Sequence, residues 1–290
     1  MAEPEQAPTS GHQELPQEQR ERGPAPDAET VIEIKKLVTH YGERQILFNV
    51  DLNVRQGEIV VIMGGSGSGK STLLNTLLGL LRPTSGTVEI LGQDLHHITD
   101  IDRTHLRQKL GVAFQGGALF GSMSVLDNII LPLREHTKLD IHTMRIMARL
   151  KMQVVNLAGF EDLMPSELSG GMIKRAAFAR AIVMDPRILF CDEPSAGLDP
   201  IVASTIDDLI LNLRDAMGMS IVVVTHELES AFRIADRICV LDKGKLIFDG
   251  TVEEVKKSDN ERIQNLLNRR TETENLDPDE YLRRLTAAHD

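Results

Sequence analysis

Glu58-Ile59-Val60-Val61-Ile62-Met63-Gly64-Gly65-Ser66-Gly67-Ser68-Gly69-Lys70-Ser71 (58–71) is the stretch that decides the fold. Ile59–Met63 is an unbroken apolar run of strand length, and the chain passes from it directly into a glycine-rich loop ending in Lys70-Ser71. This is a P-loop. Its glycines let backbone N–H groups curl around the β- and γ-phosphates of a nucleotide, and the helix that follows adds positive potential at its N-terminus. Lys70 can reach the β/γ oxygens, and the Ser71 hydroxyl can ligate Mg²⁺.

Outward from that loop the pattern is α/β. Apolar strands recur at Leu110–Phe114, Ile188–Cys191, Ile221–Val224 and Ile238–Leu241, separated by helical stretches. Such an order predicts a largely parallel sheet covered by helices. Asp242-Lys243-Gly244 between Ile238–Leu241 and Lys245–Phe248 marks a hairpin. Upstream, Val31, Ile32, Ile34 and Leu37 suggest a first strand and Gln45–Val54 a second. Between about Gly116 and Met184 the strand signal vanishes, and Leu139–Leu157 has helical periodicity. That insert holds Met144, Met147, Met152, Met164 and Met172, which read either as adaptable core filling or as a soft docking surface.

The two ends differ from the body. Of a net charge of −11 over 290 residues, residues 1–30 carry −5 and residues 251–290 carry −3. Residues 1–30 hold five of the twelve prolines and almost no large apolar residue, which predicts a disordered tail. No apolar run approaches the ~20 residues of a membrane helix, and Met1–Thr30 lacks the basic start and apolar stretch of a signal peptide. The acidic balance argues against broad phosphate-backbone binding to nucleic acid. Cys191 and Cys239 both lie in apolar runs, as reduced core thiols do. A soluble intracellular chain is expected.

Two further clusters carry chemistry. Ile188-Leu189-Phe190-Cys191-Asp192-Glu193 delivers two adjacent acids at the C-terminal end of a strand, where ligands bind in open α/β sheets. Asp192 suits the surroundings of a bound Mg²⁺, and Glu193 suits activation of a water for attack on a γ-phosphate. Leu168-Ser169-Gly170-Gly171-Met172 opens a helix rich in Ala and Arg. Ser169 can cap it, leaving glycine amides and the helix dipole facing an anion, or the tetrad is simply an N-capped helix start.

Together these motifs resemble the ATP-binding-cassette (ABC) ATPases over about Val31–Gly250. The resemblance implies a P-loop NTPase fold of the ABC type, α/β, with an antiparallel β-subdomain and an α-helical subdomain at about 116–184. It implies that Tyr41, in His40-Tyr41-Gly42, stacks on adenine, and that Gly64, Gly65, Ser66, Gly67, Ser68, Gly69, Lys70, Ser71 and Thr72 bind the ATP phosphates. Gln115, 45 residues after Lys70, matches the Q-loop glutamine, which touches Mg²⁺ or water and faces the partner domain. With Ser71 and Asp192 it completes the implied metal set. Ser195-Ala196-Gly197-Leu198-Asp199 matches the D-loop, and His226 matches the switch histidine that holds the γ-phosphate and the catalytic carboxylate. In this family two cassettes pack head to tail, so Ser169, Gly170 and Gly171 are expected to contact the γ-phosphate held by a second copy or by a paralogue. Met172 stands where the family usually has glutamine, and activity is expected to survive because Ser169 and the glycines remain.

Three segments narrow the resemblance: Phe114-Gln115-Gly116-Gly117-Ala118-Leu119-Phe120, Pro132-Leu133-Arg134-Glu135-His136-Thr137, and Leu163–Met172. They are similar to the ATPases of Mla-type (maintenance of lipid asymmetry) transporters. That likeness implies ATP hydrolysis on the cytoplasmic face of a bacterial inner membrane, driving phospholipid transport between the two membranes. Its implied partners are a second ATPase subunit, a multispanning permease, a STAS-domain subunit and, through the permease, a periplasmic MCE lipid-binding protein. Cargo rests on this likeness alone; a transporter for another substrate, or a soluble regulatory ATPase of the family, is the alternative. Leu119, Phe120, Met123 and Val125 either receive a permease coupling helix or pack the subdomain core. The expected organisation is a tail at 1–30, the ATPase domain at 31–250 and a helical extension at 251–290. In that extension Asp277-Pro278-Asp279-Glu280 starts a helix whose Tyr281, Leu282 and Leu285 either dock on the second subunit or fray.

Overall fold

The computed structural model describes residues 23–25 and 27–268. The expected acidic tail therefore lies mostly outside the described residues, as does the helix start at Asp277 with Tyr281, Leu282 and Leu285.

Two sheets meet at the P-loop. The first is antiparallel, in the order β2-β1-β4-β5, from β1 (Thr30–Tyr41), β2 (Arg44–Arg55), β4 (Ser85–Ile90) and β5 (Gln93–Asp94). The second has six strands: β3 (Ile59–Met63), β6 (Leu110–Ala113), β7 (Ile188–Asp192), β8 (Ser220–Val224), β9 (Arg237–Asp242) and β10 (Lys245–Gly250), in the order β10-β9-β3-β8-β7-β6. All its neighbours are parallel except β10, which returns antiparallel to β9. The unbroken apolar runs follow from burial on both faces. Ile59, Val61 and Met63 join the core under the helices, whereas Val60 and Ile62 join the core shared with the antiparallel sheet.

β4 and β5 escape the sequence pattern. β4 has only Val88 and Ile90 buried, and a glycine sits at its second position. That glycine is obligatory. Gly86 has φ +87°, and a Cβ there would collide with the carbonyl oxygen of Lys36, where the β1–β4 register slips between Lys35 and Val38. Lys36 itself has φ +47°. The strand was hidden by the bulge that it accommodates.

The helical segment comprises α3 (Val125–His136), α4 (Ile141–Val154) and α5 (Gly170–Ala181). Met144, Ala148 and Met152 lie one turn apart along α4 and are buried, and Met147 and Met172 pack against the same core. These four methionines fill the core. Val125 is likewise buried, Leu119 and Met123 are half-buried, and Phe120 is 52% exposed. Asn128, fully buried, accepts from the Phe120 amide at 2.8 Å and donates to the carbonyls of Phe120, Met123 and Ser124, which fixes Phe120 in its exposed position.

The P-loop helix is α1 (Lys70–Leu77), and a polar α2 (Asp100–Arg107), with Leu106 its one buried residue, lies between the sheets. α6 (Pro200–Met217) and α7 (Leu228–Ile234) pack together beside β8. Two short helices, α8 (Val252–Lys256) and α9 (Glu261–Leu267), end the described chain. Among the described residues no helix is long and apolar enough to cross a membrane.

Candidate nucleotide site

Lys70, Asp192, Glu193 and His226 are delivered at or just beyond the C-terminal ends of the parallel strands β3, β7 and β8. After β3, the chain makes the loop 64–69 with Gly64, Gly67 and Gly69 at positive φ. A Cβ at Gly64 would collide with the Leu241 carbonyl, so the loop runs hard against the start of the β9–β10 turn. The Gly244 amide, in that turn, donates to the Ser68 carbonyl at 2.9 Å. Lys70 Nζ folds back over the loop and donates to the carbonyls of Gly64 at 2.7 Å and Gly65 at 3.0 Å. Burial pushes the Lys70 ammonium below its ordinary pKa, while the carboxylates of Glu193 and Asp192 pull it back up. A phosphate among the loop amides would offer this cation the charge that the two carbonyls lack.

β7 presents Asp192 and then Glu193, whose backbone has φ +46°, a strained conformation for a residue with a long side chain. The Glu193 amide donates to the Val224 carbonyl at 2.8 Å, which ties the turn after β7 to the end of β8. Thr225 Oγ1 donates to Glu193 Oε2 at 3.0 Å, and His226 Nδ1 lies 2.8 Å from Oε1. The carboxylate is thus held on both oxygens. Asp192 has its carboxyl pKa raised by burial and by the neighbouring Glu193 charge, against lowering by Lys174 and Lys70.

Gly64, Gly65, Ser66, Lys70, Glu193, His226, Glu227 and Leu228 enclose a cavity of about 680 Å³, together with Asn265 and Leu266 of α9. A second cavity, of about 470 Å³, lies against Gly64–Ser68 and the β9–β10 turn and is also bounded by Asn265 and Leu266. Arg262 pairs with Asp242 and Ile263 is buried, which fixes α9 beside the P-loop.

Ser71 and Thr72 follow Lys70 on α1, Ser71 exposed and Thr72 buried. Tyr41, Gln115 and Ser169–Gly171 do not line the cavity that holds Lys70 and Glu193. Tyr41 ends β1 and is 51% exposed. Gln115 follows β6 in an exposed turn. Ser169 caps α5 by accepting from the Met172 amide at 3.3 Å, and Ser169 and Gly170 are exposed. A Cβ at Gly171 would lie 2.6 Å from Val202 Cγ1, so this glycine also lets α5 approach α6. Half-buried Met172 packs on the core, a place where a thioether serves as well as an amide.

Three contributors escape the sequence pattern. Lys174, on α5, donates to the Glu193 carbonyl at 2.8 Å and to the Gln115 carbonyl. α9 supplies Asn265 and Leu266 from more than thirty residues beyond His226. The third, Thr225, was open to inference, as a hydroxyl just beyond the C-terminal end of β8 beside His226.

Cys191 and Cys239 are buried free thiols, and burial pushes both well above the ordinary thiol pKa. Among the described residues no group of three or more His, Cys, Asp or Glu side chains could hold a metal ion by itself. Mg²⁺ takes one or two carboxylates and completes its octahedron with phosphate oxygens and water. Asp192 and Ser71 offer donors of that kind.

Residues 47–196 match the family model described as ABC transporter. The intermembrane phospholipid transport system ATP-binding protein MlaF of Haemophilus influenzae is 41% identical over 239 residues, spanning 82% of this chain and 90% of that protein. MlaF of Escherichia coli is 38% identical over 226 residues, 78% and 84% of the two chains. A protein of Mycobacterium leprae called "Probable ribonucleotide transport ATP-binding protein mkl" is 41% identical over 239 residues, 82% of this chain and 69% of that one. Among solved structures, a dimeric post-hydrolysis ATP-binding cassette bound to ADP and Pi superimposes with a TM-score of 0.70 at 33% identity, covering 76% of this chain and 98% of that one. The cassette cbiO1 of Clostridium perfringens gives 0.73 at 28% identity, over 83% and 95%.

Proposed function

Since this chain belongs to the ABC transporter ATPases, we propose that it is the ATP-hydrolysing subunit of a bacterial transporter that moves phospholipid between the inner and outer membranes. The observation that carries the hydrolytic part is the Glu193 carboxylate, held by Thr225 and His226 and facing Lys70 across one cavity. There Glu193 orients a water and takes its proton as the water oxygen bonds to the γ-phosphorus and the bond to the β-phosphate oxygen breaks. Lys70 leaves the loop carbonyls for the phosphate oxygens and offsets their growing charge, and His226 keeps Glu193 aimed. Ser71, Asp192 and Gln115 would hold Mg²⁺, which when bound neutralises charge on the β/γ-phosphates.

Ser169, Gly170 and Gly171 sit apart from their own chain's Lys70, so they act on the nucleotide of a second copy. Tyr41, exposed at the end of β1, supplies a stacking face for adenine. The permease docks through a coupling helix at the groove of about 340 Å³ that Phe114, Phe120, Leu131, Pro132 and Met184 help to line. The chain is then a peripheral subunit on the cytoplasmic face of the inner membrane, with a STAS-domain subunit on the ATPase and an MCE protein reached through the permease.

The phospholipid cargo is supported by the printed names of the MlaF relatives. The mycobacterial relative, named for ribonucleotides and equally identical, favours a second reading in which the same ATPase drives another cargo. Affinity purification of the full chain from native membranes in mild detergent, with proteins and lipids identified, separates them. Recovery of a permease, a STAS protein and phospholipid is the expected result. A permease without lipid overturns the cargo, and a chain that elutes alone under conditions preserving membrane complexes overturns the transporter.

A further inference from the structure

Hydrolysis as described uses Glu193 and His226 but gives no reason for a buried carboxylate on α6. Asp207 is only 3% exposed. Its Oδ2 accepts from Ser230 Oγ at 3.0 Å, and its Oδ1 is buried with no hydrogen-bond partner. Ser230 Oγ in turn lies 3.2 Å from Ser195 Oγ. Leaving a carboxylate oxygen unsatisfied in the interior is costly, so its place in the fold calls for an explanation.

Ser195 stands two residues beyond Glu193, on the turn that leaves β7, and Ser230 stands four residues, about one helical turn, beyond His226. These two segments are therefore joined twice. The first tie is Glu193 to His226 and Thr225, and the second is Ser195 to Ser230. Ser230 has one proton. Once that proton is donated to Asp207, Ser195 must donate to Ser230, so the acceptor on α6 fixes the direction of the whole chain of hydroxyls. A cavity of about 310 Å³ adjoins this cluster. The charged groups facing Asp207 are Glu227, Glu229 and Arg233 from the α7 side and Asp208 on its own helix, Arg233 pairing with Asp208 at 2.6 Å.

We propose that Asp207 is a positioning residue for ATP hydrolysis: as a fixed acceptor for Ser230 it locks the Ser195–Ser230 tie and so sets the spacing of the Glu193 and His226 segments. It touches neither nucleotide nor water. The proposal rests on Glu193 and His226 being the hydrolytic pair.

The test is steady-state ATP hydrolysis by the full-length chain in its permease complex, comparing wild type with Asp207→Ala, Asp207→Asn, Ser230→Ala, the double variant Asp207→Ala/Ser230→Ala, and Glu193→Gln. Asp207→Ala and Ser230→Ala should each lower kcat about tenfold while KM for ATP stays within about twofold. Because Asp207 acts through Ser230, the double variant should be no slower than Asp207→Ala alone. In Asp207→Asn the new side-chain amide oxygen still accepts from Ser230, so that variant should keep kcat within about twofold of wild type. Multiplying effects in the double variant, an Asn variant as slow as the Ala variant, or parallel changes in kcat and KM each overturn the proposal. Should Asp207→Ala not fold, Ser230→Ala, which deletes a single oxygen, decides alone, and an unchanged kcat overturns it. Glu193→Gln is the separate control. If that variant hydrolyses ATP like wild type, the hydrolytic reading itself fails, whatever Asp207 does.

Discussion

The ammonium of Lys174 donates to the backbone carbonyl of Glu193 at 2.8 Å, and the same ammonium reaches the carbonyl of Gln115. One buried cation on α5 thus touches the backbone of the proposed hydrolytic residue and of the turn that follows β6. α5 begins at Gly170, four residues before it, with Ser169 as its N-cap. The helix start proposed to meet a second copy's nucleotide is therefore rigidly connected to the strained residue proposed to orient water.

Lys174→Met tests that connection. Burial already depresses the Lys174 pKa, with Glu193 and Asp192 opposing, so the charge is expensive to keep and methionine fills nearly the same volume. Two backbone carbonyls are left without their donor, so stability should fall by about 1–3 kcal/mol, and kcat should drop about tenfold as the Glu193 backbone loses its hold. Differential scanning fluorimetry beside an ATPase assay separates the two. A variant that loses stability and keeps its rate assigns Lys174 to folding only.

Asp207 gives the protein a stability cost that depends on pH. Burial raises its pKa from 3.8 to about 6, with the Ser230 hydrogen bond and Arg233 lowering it in part. Between those values the folded state holds the proton that the unfolded chain releases, so stability declines as pH climbs from about 4 to 6 and is level above. The two-unit gap corresponds to roughly 3 kcal/mol at neutral pH. Asp207→Asn removes the titration. Its melting temperature should exceed that of wild type at pH 7.5, and the difference should shrink towards zero at pH 4. A constant difference across that range would mean that the carboxyl does not titrate there.

Gly244 joins the two sheets, and its side-chain position is the backbone of another strand. It has φ +78°, its carbonyl accepts from the Phe48 amide at 2.9 Å, and a Cβ would collide with the Ile46 carbonyl. Gly244→Ala should therefore cost at least about 2 kcal/mol, lowering the melting temperature by roughly 4–8 °C in a domain of this size. Gly218, at φ +62° after α6 with nothing near its Cβ direction, is the control. Its alanine variant carries only the left-handed strain, about 1 kcal/mol. Equal melting temperatures for the two would show that the Ile46 contact relaxes freely.

How much of this was legible depended on whether a residue's role is local. Ile59–Met63 and the glycines after it declare strand, loop and helix within fourteen residues, and Ile188–Glu193 declares a buried strand ending in acids. Elements whose identity comes from contacts remote in sequence did not show. β4 needs Gly86 because Lys36 bulges, and α9 reaches the P-loop through Arg262 and Asp242. The hydroxyl chain from Asp207 joins residues twelve and thirty-five positions from Ser195, with no spacing that a linear pattern can reveal.

Glu193→Gln bears most directly on assembly. Glutamine keeps an oxygen for Thr225 and roughly the same shape beside His226, so the cavity and the P-loop remain able to bind ATP. It cannot take a proton from water, and hydrolysis should fall by a factor of about 10²–10⁴. Ser169–Gly171 lie outside the cavity that holds Lys70, so a bound, uncleaved γ-phosphate has partners left to make only with another chain. Light scattering with ATP should then report a dimer, and a monomer in ADP or without nucleotide. A variant that binds ATP yet stays monomeric at high protein concentration would show that the isolated chain does not complete its site with a second copy, and would move that role to the permease-bound state.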